Sequence, residues 1–107
     1  MRNIRLSVPD NAKSGDVIEL KAMIRHDMES GYRVNIQGQT IARNILTFFE
    51  CRFDDNVIFS ADFHPGVSAN PLLKFHMRAQ KSGTLTFEWT EQTGQIFTKT
   101  AALAVLE

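Results

Sequence analysis

Thr84-Leu85-Thr86-Phe87-Glu88-Trp89-Thr90 is the stretch whose reading decides the fold. Leu85, Phe87 and Trp89 fall on one side, and Thr84, Thr86, Glu88 and Thr90 on the other. That period of two is the signature of a strand with one buried face, and β-branched threonine suits the solvated side. Working outward, residues 17–25 repeat the pattern, with Ile18, Leu20, Ala22 and Ile24 opposite Glu19, Lys21, Met23 and Arg25. Similar runs occupy 3–8, 45–53, 57–63, 73–79 and 96–106. Turn chemistry separates them. Pro9-Asp10-Asn11 stops the first run, Asp54-Asp55-Asn56 joins two apolar strands as a hairpin, and Ser82-Gly83 and Gln92-Thr93-Gly94 bracket the Trp89 strand. No window shows a helical stripe. About seven or eight short strands at regular spacing predict an all-β, immunoglobulin-like antiparallel β-sandwich filling residues 1–107 as one domain. The Cys-Trp-Cys core of antibody domains is absent, so this is a relative of that fold.

Composition narrows the function. A chain of 107 residues, 43% hydrophobic, buries roughly 65% of its unfolded surface, enough for one core. Twelve basic and twelve acidic residues cancel and lie scattered along the chain, which argues against nucleic acid as a partner. The lone cysteine, Cys51, has no internal disulfide partner. No apolar run approaches a membrane span, and Met1-Arg2-Asn3-Ile4-Arg5 does not read as a signal peptide. The expectation is a soluble protein, kept in the cytoplasm or exported by means that its own sequence does not show.

Two stretches depart from a plain sandwich. Residues 26–43 are long and polar for a connection, since most run roughly four to six residues. Gln37-Gly38-Gln39 there predicts the turn of a projecting hairpin, with Val34-Asn35-Ile36 and Thr40-Ile41 as its arms. In 45–53 the inward side carries Ile45, Phe49, Cys51 and Phe53, yet the outward side begins with Leu46 and Phe48. Two large apolar side chains on a solvated face predict a covered patch, with another protein as the cover.

Chemistry is sparse. A blue-copper site needs two His and a Cys grouped with an axial Met, and Cys51 has no histidine before His64. An iron site of the superoxide-reductase kind needs four His and one Cys, and the chain has three His. Cys51 reads as a small buried hydrophobe, and His76, between Lys74 and Arg78, as a solvated strand residue. There is no Gly-x-Ser-x-Gly elbow and no glycine-rich phosphate cradle, and Asp54-Asp55 is explained by its turn. The residues therefore point away from an enzyme, with no cofactor and no metal expected.

One set of segments is more particular than a sandwich requires. Gly15-Asp16, Ile24-Arg25-His26-Asp27-Met28-Glu29-Ser30-Gly31-Tyr32-Arg33, Ile41-Ala42-Arg43, Ser68-Ala69-Asn70-Pro71 and Trp89 through Gly94 resemble, in order, the SoxZ family. The His-x-Met-Glu-Ser-Gly-x-Arg string is the specific part. The family pattern tends to have proline at Ala42, an aromatic at Leu72 and an acidic pair at Glu91-Gln92. The resemblance implies a non-catalytic subunit of the SoxYZ sulfur-carrier complex of bacterial thiosulfate oxidation. Its partner would be a SoxY-like protein, in a heterodimer or higher assembly, with transient docking of the pathway's enzymes. SoxY carries intermediates on a cysteine in a glycine-rich C-terminal arm. The present chain ends Ala101-Ala102-Leu103-Ala104-Val105-Leu106-Glu107, with neither glycine nor cysteine, so it is not the carrier. A periplasmic home, reached by co-export with a signal-bearing partner, is also implied. His26, Met28, Glu29, Arg33 and Arg43 either shape the exit from the second strand or touch the partner, and both readings stand. Leu46 and Phe48 are the expected interface anchors. The competing readings are a stand-alone electron-transfer metalloprotein and a free-standing ligand-binding sandwich.

Overall fold

The computed structural model describes residues 3–64 and 66–106. Alternation becomes nine strands among the described residues: β1 (Ile4–Ser7), β2 (Ala12–Lys13), β3 (Val17–Ile24), β4 (Leu46–Phe53), β5 (Asn56–Asp62), β6 (Leu72–Arg78), β7 (Gly83–Glu91), β8 (Ile96–Leu103) and β9 (Val105–Leu106). They form a three-stranded sheet ordered β1-β3-β6 and a four-stranded sheet ordered β5-β4-β7-β8. Both are antiparallel throughout. This is the predicted sandwich, with β2 and β9 as a short extra parallel pair. Pro9 explains that pair. Lacking an N–H, it interrupts the ladder with β3, and the chain crosses to run beside β9, where Ala12 N–H donates to the Ala104 carbonyl at 3.0 Å.

The inner faces are those that the alternation assigned. Ile18, Leu20, Ala22 and Ile24 of β3 meet Phe49, Cys51 and Phe53 of β4 and Leu85, Phe87 and Trp89 of β7, all buried. An aromatic cluster takes the place of an inter-sheet disulfide. Phe49 lies 4.9 Å from Trp89 and 6.0 Å from Phe75, which belongs to the opposite sheet and stacks on Phe59 at 4.4 Å. Each such pair contributes about 0.5–1.5 kcal/mol beyond its buried area. Asp54 turns the β4–β5 hairpin at a φ of 53°, and its carboxylate accepts the Thr84 N–H at 3.0 Å.

One expectation on β4 is overturned. The register of β4 on β7 slips between Leu46, opposite Glu91, and Phe48, opposite Thr90. The extra residue, Thr47, changes the phase of the strand, so Leu46 turns inward and is completely buried. Leu46 is therefore a core residue and not an interface anchor. Phe48 remains on the outer face, half-buried between Asp62 of β5 and Thr90 of β7.

The molecule measures 60 × 22 × 19 Å with a radius of gyration of 16.3 Å. A compact chain of this length would have about 13 Å. Nine extended residues span about 30 Å, so the long axis requires a part that leaves the sandwich. Residues 32–40, nearly all exposed, belong to that part.

Candidate functional site

Between the end of β3 and the start of β4 the chain makes an anchor and then an arm. The anchor is His26, 1% exposed, whose Nε2 lies 2.7 Å from Oε2 of Glu91, itself 4% exposed at the end of β7. Met28 N–H donates to Nδ1 of His26 at 3.0 Å. An accepting Nδ1 leaves the ring proton on Nε2, aimed at the carboxylate, so both ring nitrogens are satisfied without water. The Thr93 hydroxyl donates to Oε1 of Glu91 at 2.6 Å. The His26 backbone is held as well: its N–H donates to Oδ1 of Asn70 at 2.9 Å, and its carbonyl accepts the Asn70 N–H at 2.7 Å. Asn70 adopts a left-handed φ of 53°, which asparagine tolerates better than most residues. Three segments far apart in sequence thus converge on His26: Met28 and Glu91 on its ring, and Asn70 on its backbone.

Met28 begins the arm. It takes a φ of 53°, is buried, and accepts the Leu46 N–H on its sulfur at 3.3 Å. Glu29 and Asn44 then exchange both backbone hydrogen bonds, at 2.9 and 2.8 Å. Gly31 is required at the next step. Its φ is +91°, and a Cβ there would stand 3.2 Å from Cβ of Arg43. Arg33 reaches back to the Glu29 carboxylate with two donors, Nε at 3.0 Å and NH2. This pairing holds the Glu29 carboxyl below its usual range and raises the Arg33 guanidinium further. Beyond it the chain closes as the expected hairpin. Val34 pairs with Thr40, Gly38 supplies a φ of 79° at the turn, and Oδ1 of Asn35 accepts the N–H groups of Gln37 and Gln39 at 3.0 and 2.9 Å.

The arm presents apolar side chains to solvent. Tyr32 is 88% exposed, Val34 62% and Ile36 102%. A domain gains nothing in folding from apolar groups held out in water, whereas a partner that covers them does. For His26 and Met28, where two readings stood, burial supports the one that shapes the strand exit and corrects the one that puts them against a partner. They are buried because they build the anchor, and they act on the arm only through its backbone. Glu29 stands at the arm's base, and Arg33 and Arg43 are exposed on it. The sequence places Val34 and Ile36 on the hairpin but does not single them or Tyr32 out as partner contacts, although the three alternate at i, i+2 and i+4 through an otherwise polar segment.

The chain's single cysteine is shielded. Cys51 is fully buried on β4, and desolvation pushes its thiol up to about 12, only partly offset by the charge of Arg52. A thiol held protonated inside a core is a poor nucleophile and a poor metal ligand. Among the described residues no group of three or more His, Cys, Asp or Glu is placed to hold a metal ion. No helix of the described chain is long and apolar enough to cross a membrane.

Comparison with known proteins adds the family. The family described as sulphur oxidation protein SoxZ matches residues 4–102. No curated protein matches the chain in sequence. Among solved structures, the superoxide reductase (neelaredoxin) from Ignicoccus hospitalis superposes with a TM-score of 0.76 at 15% identity, covering 96% of this chain and 80% of that one. The sulfur carrier protein SoxY from Chlorobium limicola f thiosulfatophilum gives 0.70 at 14%, covering 97% and 79%. The CARDB domain of the PF1109 protein from Pyrococcus furiosus gives 0.57 at 13%, covering 100% and 94%. At these identities the likenesses concern the fold alone.

Proposed function

The chain belongs to the SoxZ family, and from that premise we propose that it is the non-catalytic partner subunit of a SoxY-like sulfur carrier. In this reading it works in the sulfur-oxidation system by binding and stabilising the protein whose C-terminal cysteine bears the thiosulfate-derived sulfur. It also offers a surface on which the oxidising enzymes dock. The periplasm, reached together with a signal-bearing partner, is the compartment that fits this role.

The observation that carries the proposal is the arm. Its buried root is built by the same His-x-Met-Glu-Ser-Gly-x-Arg string that marks the family, and its exposed members are Tyr32, Val34 and Ile36. Burying two aliphatic side chains of this kind contributes about 3–6 kcal/mol before the costs of association. Arg33 and Arg43, exposed around the root, suit an interface, where arginine is enriched. A metal-centred alternative finds no support in the residues. His26 has both ring nitrogens engaged, Cys51 is buried, and His64 and His76 complete the chain's three histidines.

Co-expression with a SoxY-like protein, followed by affinity capture and intact-mass measurement, tests the proposal. The wild-type chain should be recovered with the carrier in fixed ratio. A Tyr32→Asp, Ile36→Asp double variant should lose it while keeping the wild-type melting temperature. Phe48→Glu examines the remaining sequence-derived anchor in the same assay. Recovery of the carrier undiminished by the arm variant would remove the arm from the interface.

A further inference from the structure

The outer face of the β1-β3-β6 sheet collects charges that the sequence scatters. Register places Arg5 beside Met23, Met23 beside Leu72, Lys21 beside Lys74, Glu19 beside His76, and Val17 beside Arg78. Arg25 continues the outward row of β3, so among the described residues the cations on this face are Arg5, Lys21, Arg25, Lys74 and Arg78. Among the outward strand positions of this face Glu19 is the one carboxylate. It is engaged by Lys21 and His76, each at 3.6 Å, while Arg78 donates to the Gly15 carbonyl at 2.8 Å. No carboxylate among the described residues pairs with Arg5, Arg25 or Lys74. Lys21 and Lys74 stand directly opposite one another, an arrangement that disfavours the sheet. Twelve cations and twelve anions make this chain neutral overall, so the face is a strong local asymmetry.

At one end of the face is a recess of about 240 Å³ lined by Asn3, Arg5, Met23, Arg25 and Asn70. Oδ1 of Asn70 is committed to the His26 N–H, which leaves its amide donors. Two arginines and an amide among the lining residues form a donor set that suits an oxyanion, and a carboxylate matches a guanidinium in two points.

We propose that this face docks an acidic protein surface, with one Asp or Glu carboxylate of that partner seated between Arg5 and Arg25. The assignment rests on charge and does not depend on the family reading. Protein is favoured over nucleic acid by three observations. The chain's pI is about 6.8; among the described residues no phenylalanine, tyrosine or tryptophan stands on the face for base stacking; and exposed Val17 and Leu72, with Met23, interleave the cations.

The test is a titration of the isotope-labelled full chain at low salt with a blocked synthetic peptide of repeated Glu-Glu-Leu triplets. Amide shifts should concentrate on β1, β3 and β6, and binding should weaken severalfold between about 50 and 200 mM salt. An Arg5→Ala, Arg25→Ala double variant should weaken it about tenfold or more. Lys74→Glu should do the same while keeping the fold, and Lys99→Ala should leave binding unchanged. The proposal is overturned by shifts elsewhere, by insensitivity to these variants, or by a mixed-sequence oligonucleotide or inorganic sulfate binding as tightly. Self-association of the wild-type chain that the face variants abolish would also overturn it, assigning the face to a second copy.

Discussion

Replacing His26 by alanine removes the keystone of the arm, and the cost can be worked from its contacts. The change deletes the Nε2–H bond to the buried Glu91 carboxylate, at 2.7 Å. It also strands the Met28 N–H, which now donates to Nδ1 at 3.0 Å. A hydrogen bond to a charged acceptor contributes about 1.5–3 kcal/mol, and an orphaned buried donor costs about 1–3 kcal/mol. Together these place the loss at about 3–5 kcal/mol, the usual range for breaking a buried polar pair from one side. In a domain of this size that lowers the melting temperature by about 15–30 °C. Glu91→Gln is the informative companion, because its amide oxygen keeps an acceptor for Nε2–H while its NH2 can donate to the Thr93 hydroxyl oxygen, and it should cost far less. Thermal unfolding followed by circular dichroism measures both. Amide exchange of His26→Ala at low temperature should show lost protection over residues 28–44 with the sandwich strands retained. A loss below about 1 kcal/mol, or an arm as protected as before, would refute the reasoning that His26 holds it.

Cys51 should resist alkylation in the folded protein. With its thiol pushed up to about 12 from an ordinary value of 9.0, the thiolate at mildly alkaline pH is about a thousandfold scarcer than in the unfolded chain, and burial adds a further barrier. The same shift makes stability fall as pH climbs from the ordinary thiol range toward 12, because only the unfolded chain gives up the proton there; titrated denaturation reads this out. At the other end of the scale, the Glu29 carboxyl is held low by Arg33, so the pairing at the arm's root is present above the ordinary carboxylate range and is lost as pH falls through the lowered value. Amide exchange at the arm should rise in that acid window, and Glu29→Gln should abolish the dependence. Lys74→Glu converts a like-charged cross-strand pair with Lys21 into an attractive one and should stabilise the chain by about 0.2–1 kcal/mol, seen as a higher melting temperature.

The sandwich was legible because alternation is a local signal: Leu85, Phe87 and Trp89 need no knowledge of their neighbours to declare a buried face. So was the projecting hairpin, since Gln37-Gly38-Gln39 marks a turn in a segment too long for a simple connection. Leu46 was misplaced because a bulge at Thr47 shifts the phase by one residue, and nothing in the residues themselves announces the slip. The burial of His26 was hidden for a different reason. Its acceptor, Glu91, lies 65 residues away, and its backbone partner, Asn70, 44 residues away. The basic face was invisible on the same grounds, since Arg5, Lys21 and Lys74 become neighbours only through strand pairing. The resemblance to the SoxZ family pointed at the segments that form the arm and its anchor but did not separate those that build the arm from those that it displays.

The most direct measurement is hydrogen exchange along the arm, in the free chain and in complex with a SoxY-like carrier. In the free chain the amides of residues 32–40 should exchange readily, apart from those bonded across the hairpin. In the complex, protection should appear there, centred on Tyr32, Val34 and Ile36, with little change at Cys51 or elsewhere in the core. A stable complex that leaves the arm exchanging as fast as before would contradict the account.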